Sequence, residues 1–143
     1  MTKKSRQQFV ILSAELKENT SHDNELRTML LETMLKSCEF KYHKAQGNFY
    51  NNAENSFFVN VNTSEDVLTL QDFAFKNFDQ TSILYSDCNG QAYLEHLEGN
   101  CERLGTIKEY PIDKIKYLDN YTIINNKAYS TETIKDRVYC EYL

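Results

Sequence analysis

The hydrophobic pattern of the chain opens with an unbroken apolar run at residues 9–12. A short run that contains β-branched residues is typical of a central strand buried on both faces. Apolar residues then recur every three or four positions across residues 26–35. This spacing predicts a helix with one buried face, which begins among the capping residues at 20–23 and ends near residue 36.

Two further strands are predicted on either side of a polar stretch. Residues 38–43 alternate apolar and polar side chains, which is the pattern of a half-exposed strand. A third strand is predicted over residues 56–61. Residues 45–55 are polar and contain Gly47, so they indicate a connection longer than a tight hairpin, of the kind that often carries function.

A second helix and a hairpin follow. Ser64 and the two acidic residues after it favour a helix start, and the apolar positions of this helix continue to Phe78. Residues 82–86 and 91–97 flank an Asn-Gly pair, which is a strong hairpin signal. These two segments are therefore predicted to be the fourth and fifth strands.

The chain beyond Gly99 predicts three shorter elements. Residues 104–109 have the pattern of a strand, and a proline opens a short helix at 111–118. Residues 121–129 indicate a small hairpin around Asn125-Asn126. No repeat or linker interrupts the sequence.

The order β-α-β-β-α-β over residues 9–86 predicts an α+β fold of the ferredoxin-like kind, with a mainly antiparallel sheet and both helices on one face. The added hairpin and a C-terminal appendage complete one domain over residues 1–143, with a core at 8–97 and the appendage at 98–143. Chain direction brings five segments to one edge of the sheet: the end of the first strand, the start of the first helix, the polar connection, and the starts of the third and fourth strands.

Seven side chains at this edge form a predicted ligand site. They are Glu15, Asn24, Arg27, Tyr50, Glu54, Ser56 and Gln80. Arg27 and the helix amides suit an anion such as a phosphate, and Phe49 and Tyr50 are placed to stack on a ligand. Glu54, at the mouth of an apolar strand, is expected to be desolvated and poised as a base or acceptor. The alternative is structural: polar residues cap strands and helices, and Arg27 pairs with Glu15 or Glu54.

The charge and hydropathy of the chain exclude several classes of partner. A net charge of -5, with acids and bases mixed along the chain, disfavours binding to DNA or RNA. No apolar run approaches the roughly 18 residues of a membrane helix, and the polar first residues lack the apolar region of a signal peptide. We therefore predict a cytoplasmic protein with no membrane or nucleic-acid partner.

The metal-ligating residue types are dispersed along the chain. The three histidines and four cysteines have no paired spacing of a zinc or redox site, so reduced thiols, no metal and no cofactor are predicted. The cysteines are Cys38, Cys88, Cys101 and Cys140.

Four short motifs occur within residues 9–94. They are an apolar strand ending in Ser13-Ala14, Asn24 with Arg27 and Leu30 on a helix, Glu54-x-Ser56, and Phe78-x-Gln80 before a strand. Together they resemble a bacterial and phage family of small domains of unknown function. The resemblance implies the fold and the site, and it names no reaction. An excess of Lys over Arg and abundant Asn are typical of AT-rich genomes, which fits a phage or its host.

Three functions are considered for this domain. The first is a domain that binds a small polar or nucleotide-like anion. In a phage, such a domain would sequester a signalling nucleotide of the host. The second is an interaction module that inhibits or adapts a host enzyme through its acidic surface or the C-terminal appendage. The third is a hydrolase with Glu54 as general base and Arg27 as electrostatic stabiliser. No nucleophile motif or paired acids accompany these residues, so we expect binding rather than catalysis.

Overall fold

The computed structural model describes residues 5–49 and 52–134. Tyr50 and Cys140 lie outside the described residues. The helices in the described part are α1 (Ser21–Ser37) and α2 (Ser64–Asp72), which a π-helical turn (Phe73–Asn77) continues. The strands are β1 (Phe9–Leu12), β2 (Tyr42–Phe49), β3 (Asn52–Asn60), β4 (Ser82–Ser86), β5 (Gln91–His96), β6 (Cys101–Thr106), β7 (Lys108–Pro111), β8 (Asn120–Ile124) and β9 (Lys127–Ser130).

These strands form one sheet with the order β6-β5-β4-β1-β3-β2-β8-β9-β7, and all its neighbours pair antiparallel. The predicted α+β class with a mainly antiparallel sheet is confirmed. The ferredoxin-like prediction does not describe the whole sheet. It accounts only for the four strands β4-β1-β3-β2, whereas five further strands extend the sheet on both sides. The outer strands curl toward each other, so that Ile107 and Tyr129 join Phe9 in one cluster and the sheet nearly closes on itself.

The side chains of β1 separate two apolar clusters, because they alternate between the faces of the sheet. Val10 and Leu12 are almost fully buried in one cluster with apolar residues of α1 and α2. Burial of such a side chain stabilises the fold by roughly 1.5–3 kcal/mol. Phe9 and Ile11 belong to a second cluster on the concave face. Both helices therefore pack on one face of the sheet, and the concave face is left for a cavity.

Side-chain caps fix where both helices begin. Thr20 is the N-cap of α1, and its Oγ1 accepts a hydrogen bond from the Asp23 amide at 3.1 Å. Thr63 and Asp66 form a capping box at the start of α2. These caps satisfy amides that the helices themselves leave without acceptors. No helix within the described residues is long and apolar enough to cross a membrane.

Two predictions between the first helix and the third strand are wrong. Residues 38–43 are not a strand, because α1 ends at Ser37, Glu39 takes a positive φ of 61°, and β2 begins only at Tyr42. Residues 45–55 are not a long loop, since β2 and β3 pair almost to their tips as a hairpin. The buried positions of β2 are the small residues Ala45 and Gly47, which hide its alternation from a hydrophobicity pattern.

The predicted hairpins are confirmed. Gly90 takes a φ of 78°, and its amide donates to the Asp87 carbonyl at 3.0 Å, which closes the turn between β4 and β5. Asn125 and Asn126 take positive φ values of 50° and 64° between β8 and β9. A 3₁₀ helix (Ile112–Tyr117) follows Pro111, as predicted. The strand predicted at 104–109 is in fact divided between β6 and β7.

Candidate functional site

A cavity of about 500 Å³ opens on the concave face of the sheet, where β1 ends and β3 and β4 begin. Its apolar wall includes Ile11, Leu84, Leu94, Leu104, Ile107 and Tyr129. Its main polar lining consists of Ser13, Glu54, Ser56, Gln80, Asn120 and Thr122. This size and this mixed lining are typical of sites for small molecules.

Glu54 is the only charged side chain among the described residues that line the cavity. Burial, and after it the negative charge of Glu15, raise its pKa to about 7 against the opposing effect of a hydrogen bond with Ser13. The carboxyl group is therefore partly protonated and partly ionised near neutral pH. This agrees with the desolvation expected from the sequence, whereas the role of Glu54 stays a prediction.

Gly47 keeps the floor of the cavity open beside Glu54. It lies in the sheet between Glu54 of β3 and Thr122 of β8, and it adds no side chain to the concave surface between them. A Cβ atom at Gly47 would lie 3.1 Å from Cε2 of Phe49. The glycine therefore makes room for the Phe49 ring, which lines the cavity and is 44% exposed.

Gln80 and Glu15 meet at the rim of the cavity. The Nε2 of Gln80 donates to the carbonyl oxygens of Glu15 and Phe78, at 2.9 and 3.2 Å. With its nitrogen so used, Gln80 has its Oε1 acceptor to offer to a ligand. The carboxylate of Glu15 accepts from the backbone and side-chain amides of Asn55, at 3.1 and 3.0 Å. Gln80 lines the cavity, whereas Glu15 lines a more open groove between α1 and the β2–β3 hairpin.

Asn24 and Arg27 use their polar atoms on the backbone. The side-chain amide of Asn24 exchanges two hydrogen bonds with the backbone of Leu16, both at 2.9 Å. The Nε of Arg27 donates to the Ala14 carbonyl at 2.7 Å, and its Nη2 donates to the Phe78 carbonyl. Arg27 is not among the lining residues of the cavity or the groove. These contacts support the structural alternative, although the partners are carbonyl groups and not the acidic side chains considered above.

Two buried polar atoms of residues that line the cavity have no hydrogen-bond partner within the described part of the chain. They are the Oγ of Ser56 and the Oδ1 of Asn120. Folded proteins leave few buried polar atoms unpaired, so such atoms beside a cavity indicate where a ligand supplies donors. Asn120 was missed in the sequence, because it reaches the cavity through the pairing of β8 with β2, and contacts between distant strands leave no local signal.

The predicted residues thus separate into groups. The cavity brings together Glu54, Ser56 and Gln80, the groove brings Glu54 and Ser56 together with Glu15 and Asn24, and Tyr50 is outside the described residues. A cavity with one carboxyl group and no basic side chain among its described lining suits a cation or a neutral ligand better than a phosphate. Across the described ranges, no three side chains of His, Cys, Asp or Glu are grouped so that they could hold a metal ion.

Comparison with known proteins identifies the family. The model of the S-adenosylmethionine lyase family matches residues 10–132, which is most of the chain and includes the cavity lining from Ile11 to Thr131. A comparison with curated proteins finds no match. The expectation of a small-domain family is confirmed in this coarse form, and the match carries no information on a phage or bacterial source. The chain belongs to the S-adenosylmethionine lyase family.

Proposed function

We propose that this protein is an S-adenosylmethionine lyase whose active site is the cavity on the concave face of the sheet. The observation that carries the proposal is the charge of the cavity. Glu54 is its single charged lining residue in the described part of the chain, and S-adenosylmethionine carries a net positive charge. The family match supports the same substrate.

The family overturns the functions predicted from the sequence. A domain that only sequesters a nucleotide-like anion and a module that acts by binding a host protein are not enzymes, whereas the family is named for a catalytic activity. A hydrolase using Glu54 is also wrong, because a lyase breaks its bond without adding water. The anion prediction used Arg27 together with the amides of the first helix, and Arg27 donates from Nε and Nη2 to backbone carbonyl groups instead.

In our proposal Glu54 binds the α-ammonium group of the substrate. An ionised carboxylate and an ammonium group form a charge-assisted hydrogen bond. The ammonium charge does not change during the reaction, whereas the sulfonium charge disappears as the C–S bond breaks. A carboxylate held against the sulfonium would stabilise the ground state more than the transition state. Glu54 is therefore assigned to binding and orientation of the amino-acid end.

The chemical step that we propose is an internal displacement. The carboxylate of the substrate attacks Cγ of the aminobutyrate chain, a C–O bond forms, the C–S bond breaks, and its electron pair stays on sulfur. The products are a five-membered lactone and neutral 5′-methylthioadenosine, and no water or proton is consumed. Well-oriented internal attack reaches effective molarities of about 10⁵–10⁸ M. Elimination by a base is disfavoured, because no carbonyl group lies next to the Cβ–H bond to acidify it.

The apolar lining of the cavity fits the parts of the substrate that Glu54 does not bind. The apolar wall formed by Ile11, Leu84, Leu94, Leu104, Ile107 and Tyr129 suits the adenosine and the thioether that leaves. This wall also keeps water away from Cγ, where it would compete with the internal nucleophile.

Cleavage in ¹⁸O-labelled water tests both the activity and the route. We expect 5′-methylthioadenosine together with a lactone, or homoserine derived from it, whose Cγ oxygen is unlabelled. Label on the Cγ oxygen would instead show direct hydrolysis and contradict the proposal. Substrate deuterated at Cβ tests for elimination, because elimination removes deuterium from Cβ and internal displacement retains it.

Substitution of Glu54 tests the site itself. Glu54→Gln keeps the size of the side chain but removes the charge, and we expect it to raise KM for S-adenosylmethionine by roughly 10-fold or more, with a smaller effect on kcat. Glu102→Gln is the matched control, since Glu102 lies on β6, is exposed and does not line the cavity. Equal kinetics for the two variants would place the substrate elsewhere.

A further inference from the structure

Asn120 is held at the cavity wall by a clamp from the end of β9. The Oγ of Ser130 donates to the Asn120 carbonyl at 2.6 Å. The carboxylate of Glu132 accepts from the Asn120 amide at 2.8 Å and from its Nδ2 at 3.0 Å. With Nδ2 bound to a carboxylate, the orientation of the side-chain amide is determined. Its Oδ1 is the acceptor that remains, and it is buried beside the cavity.

A second clamp of the same kind shows that this arrangement does not by itself bury an unpaired oxygen. Ser13 and Glu15 hold Asn55 through equivalent hydrogen bonds, with the Ser13 Oγ donating to the Asn55 carbonyl at 2.7 Å. Asn55 is exposed on the other face of the sheet and lines the groove beside α1. The same clamp therefore leaves Asn55 in solvent, whereas at Asn120 the remaining acceptor is buried in a residue that lines the cavity.

Phe49 lies next to Asn120 in the sheet. The two residues are direct cross-strand partners of β2 and β8, which places their backbones about 5 Å apart. An exposed aromatic ring beside a fixed amide acceptor is a combination that recognises a base with an exocyclic amine, since the ring stacks on the base and the amide oxygen accepts from the amine.

Glu54 and Asn120 are spaced for the two ends of one ligand. Glu54 lies two strands across from Thr122, and Asn120 is two residues further along the same strand. Strand spacing and rise give a separation of roughly 12 Å between their Cα atoms on a flat sheet. An extended nucleoside sulfonium has a comparable length between its amino-acid group and the amine of its base.

We propose that the Oδ1 of Asn120 accepts a hydrogen bond from the 6-amino group of adenine while Phe49 stacks on the purine. This inference rests on the proposed function, because that function places a nucleoside sulfonium in the cavity. Hypoxanthine carries a carbonyl oxygen at the same position, so two acceptors would face each other. The site then selects adenine over hypoxanthine.

Calorimetric binding of 5′-methylthioadenosine and 5′-methylthioinosine to the full-length protein tests this assignment without requiring a variant to fold. We expect the adenine compound to bind at least about 10-fold more tightly, as is usual when a buried acceptor loses its donor. Asn120→Ala should bring the two affinities within about 2-fold of each other. The matched control Asn55→Ala, which loses the same clamp on the opposite face, should keep the full difference.

The outcomes separate this inference from the proposed function. If the wild-type protein cleaves S-adenosylmethionine but binds both nucleosides equally, or binds neither, the Asn120 assignment is overturned and the lyase proposal stands. If Asn120→Ala and Asn55→Ala reduce the preference alike, the clamp and not the Oδ1 contact is responsible, and the assignment is again overturned. A preference for the adenine compound without any cleavage supports the Asn120 contact and removes the lyase proposal.

Discussion

Arg27 is fixed to Phe78 by two contacts of one guanidinium group. The central carbon of this group lies 5.4 Å from the centroid of the Phe78 ring, and its Nη2 donates to the Phe78 carbonyl. The Nε of Arg27 donates at the same time to the carbonyl of Ala14. These contacts connect α1 to the chain after β1 and to the chain before β4, so they hold the rim of the cavity together.

Arg27→Ala is therefore expected to destabilise the protein. Loss of hydrogen bonds from a charged donor should lower the free energy of unfolding by about 1.5–3 kcal/mol, measured by urea denaturation. Arg103→Ala is the matched control, because Arg103 makes an exposed hydrogen bond to Gln91. Its effect should stay within about 0.5 kcal/mol. Equal stabilities of the two variants would show that the Arg27 contacts contribute little.

The affinity for S-adenosylmethionine should increase as the pH rises through neutrality. The pKa of Glu54 is raised to about 7, so the carboxyl group is mostly neutral at pH 6 and mostly ionised at pH 8. Only the ionised form attracts the ammonium group of the substrate, and kcat/KM should therefore rise with a bend near pH 7. In Glu54→Gln this bend should be absent. A bend of the same position in the variant would assign it to another group.

The same carboxyl group should make the folded protein less stable at higher pH. Its folded pKa of about 7 exceeds the ordinary value of 4.5, so between these values the folded protein keeps a proton that the unfolded chain has released. Stability therefore falls as the pH rises through this window. Glu54→Gln removes this effect. The Tm of the variant minus the Tm of the wild-type protein should therefore increase from pH 5 to pH 8. A constant difference across this range would mean that Glu54 is not desolvated.

Gly47→Ala should weaken substrate binding without unfolding the protein. Alanine is compatible with a strand, but its Cβ would lie 3.1 Å from the Phe49 ring and would displace it from the cavity wall. We expect KM to rise roughly 5-fold or more, as for the loss of a stacking contact. Phe49→Leu should have a similar effect and serves as the comparison. A normal KM for Gly47→Ala beside a raised KM for Phe49→Leu would show that the ring adjusts without loss of binding.

The parts of the fold that local chemistry specifies were predictable from the sequence. The apolar run of β1, the capping residues of α1 and the Asn-Gly turn each predict their structure without reference to distant residues. The position of β2 was predicted wrongly, because its buried positions are occupied by Ala45 and Gly47. Small residues of this kind resemble the residues of a loop. The pairing of β2 with β8 was not predictable, since it joins segments that are far apart in the chain.

The candidate site was partly predictable for the same reason. Chain direction was sufficient to bring Glu54 and Gln80 to one rim, because direction follows from the order of the elements. The bonding of individual donors does not follow from that order. Arg27 was therefore interpreted as an anion ligand although it binds backbone carbonyl groups, and Asn120 was missed although it lines the cavity and has a buried, unpaired oxygen.

The alternating faces of β1 make this strand the boundary between the core under the helices and the cavity. Val10 and Leu12 belong to the cluster under the helices, while Ile11 lines the cavity and Phe9 stacks on Phe58 at 4.1 Å behind it. Substitutions at the even positions should act on folding, whereas those at the odd positions should alter turnover and substrate preference. Substitutions on one side of this four-residue strand can therefore change the cavity while the other side continues to support the helices.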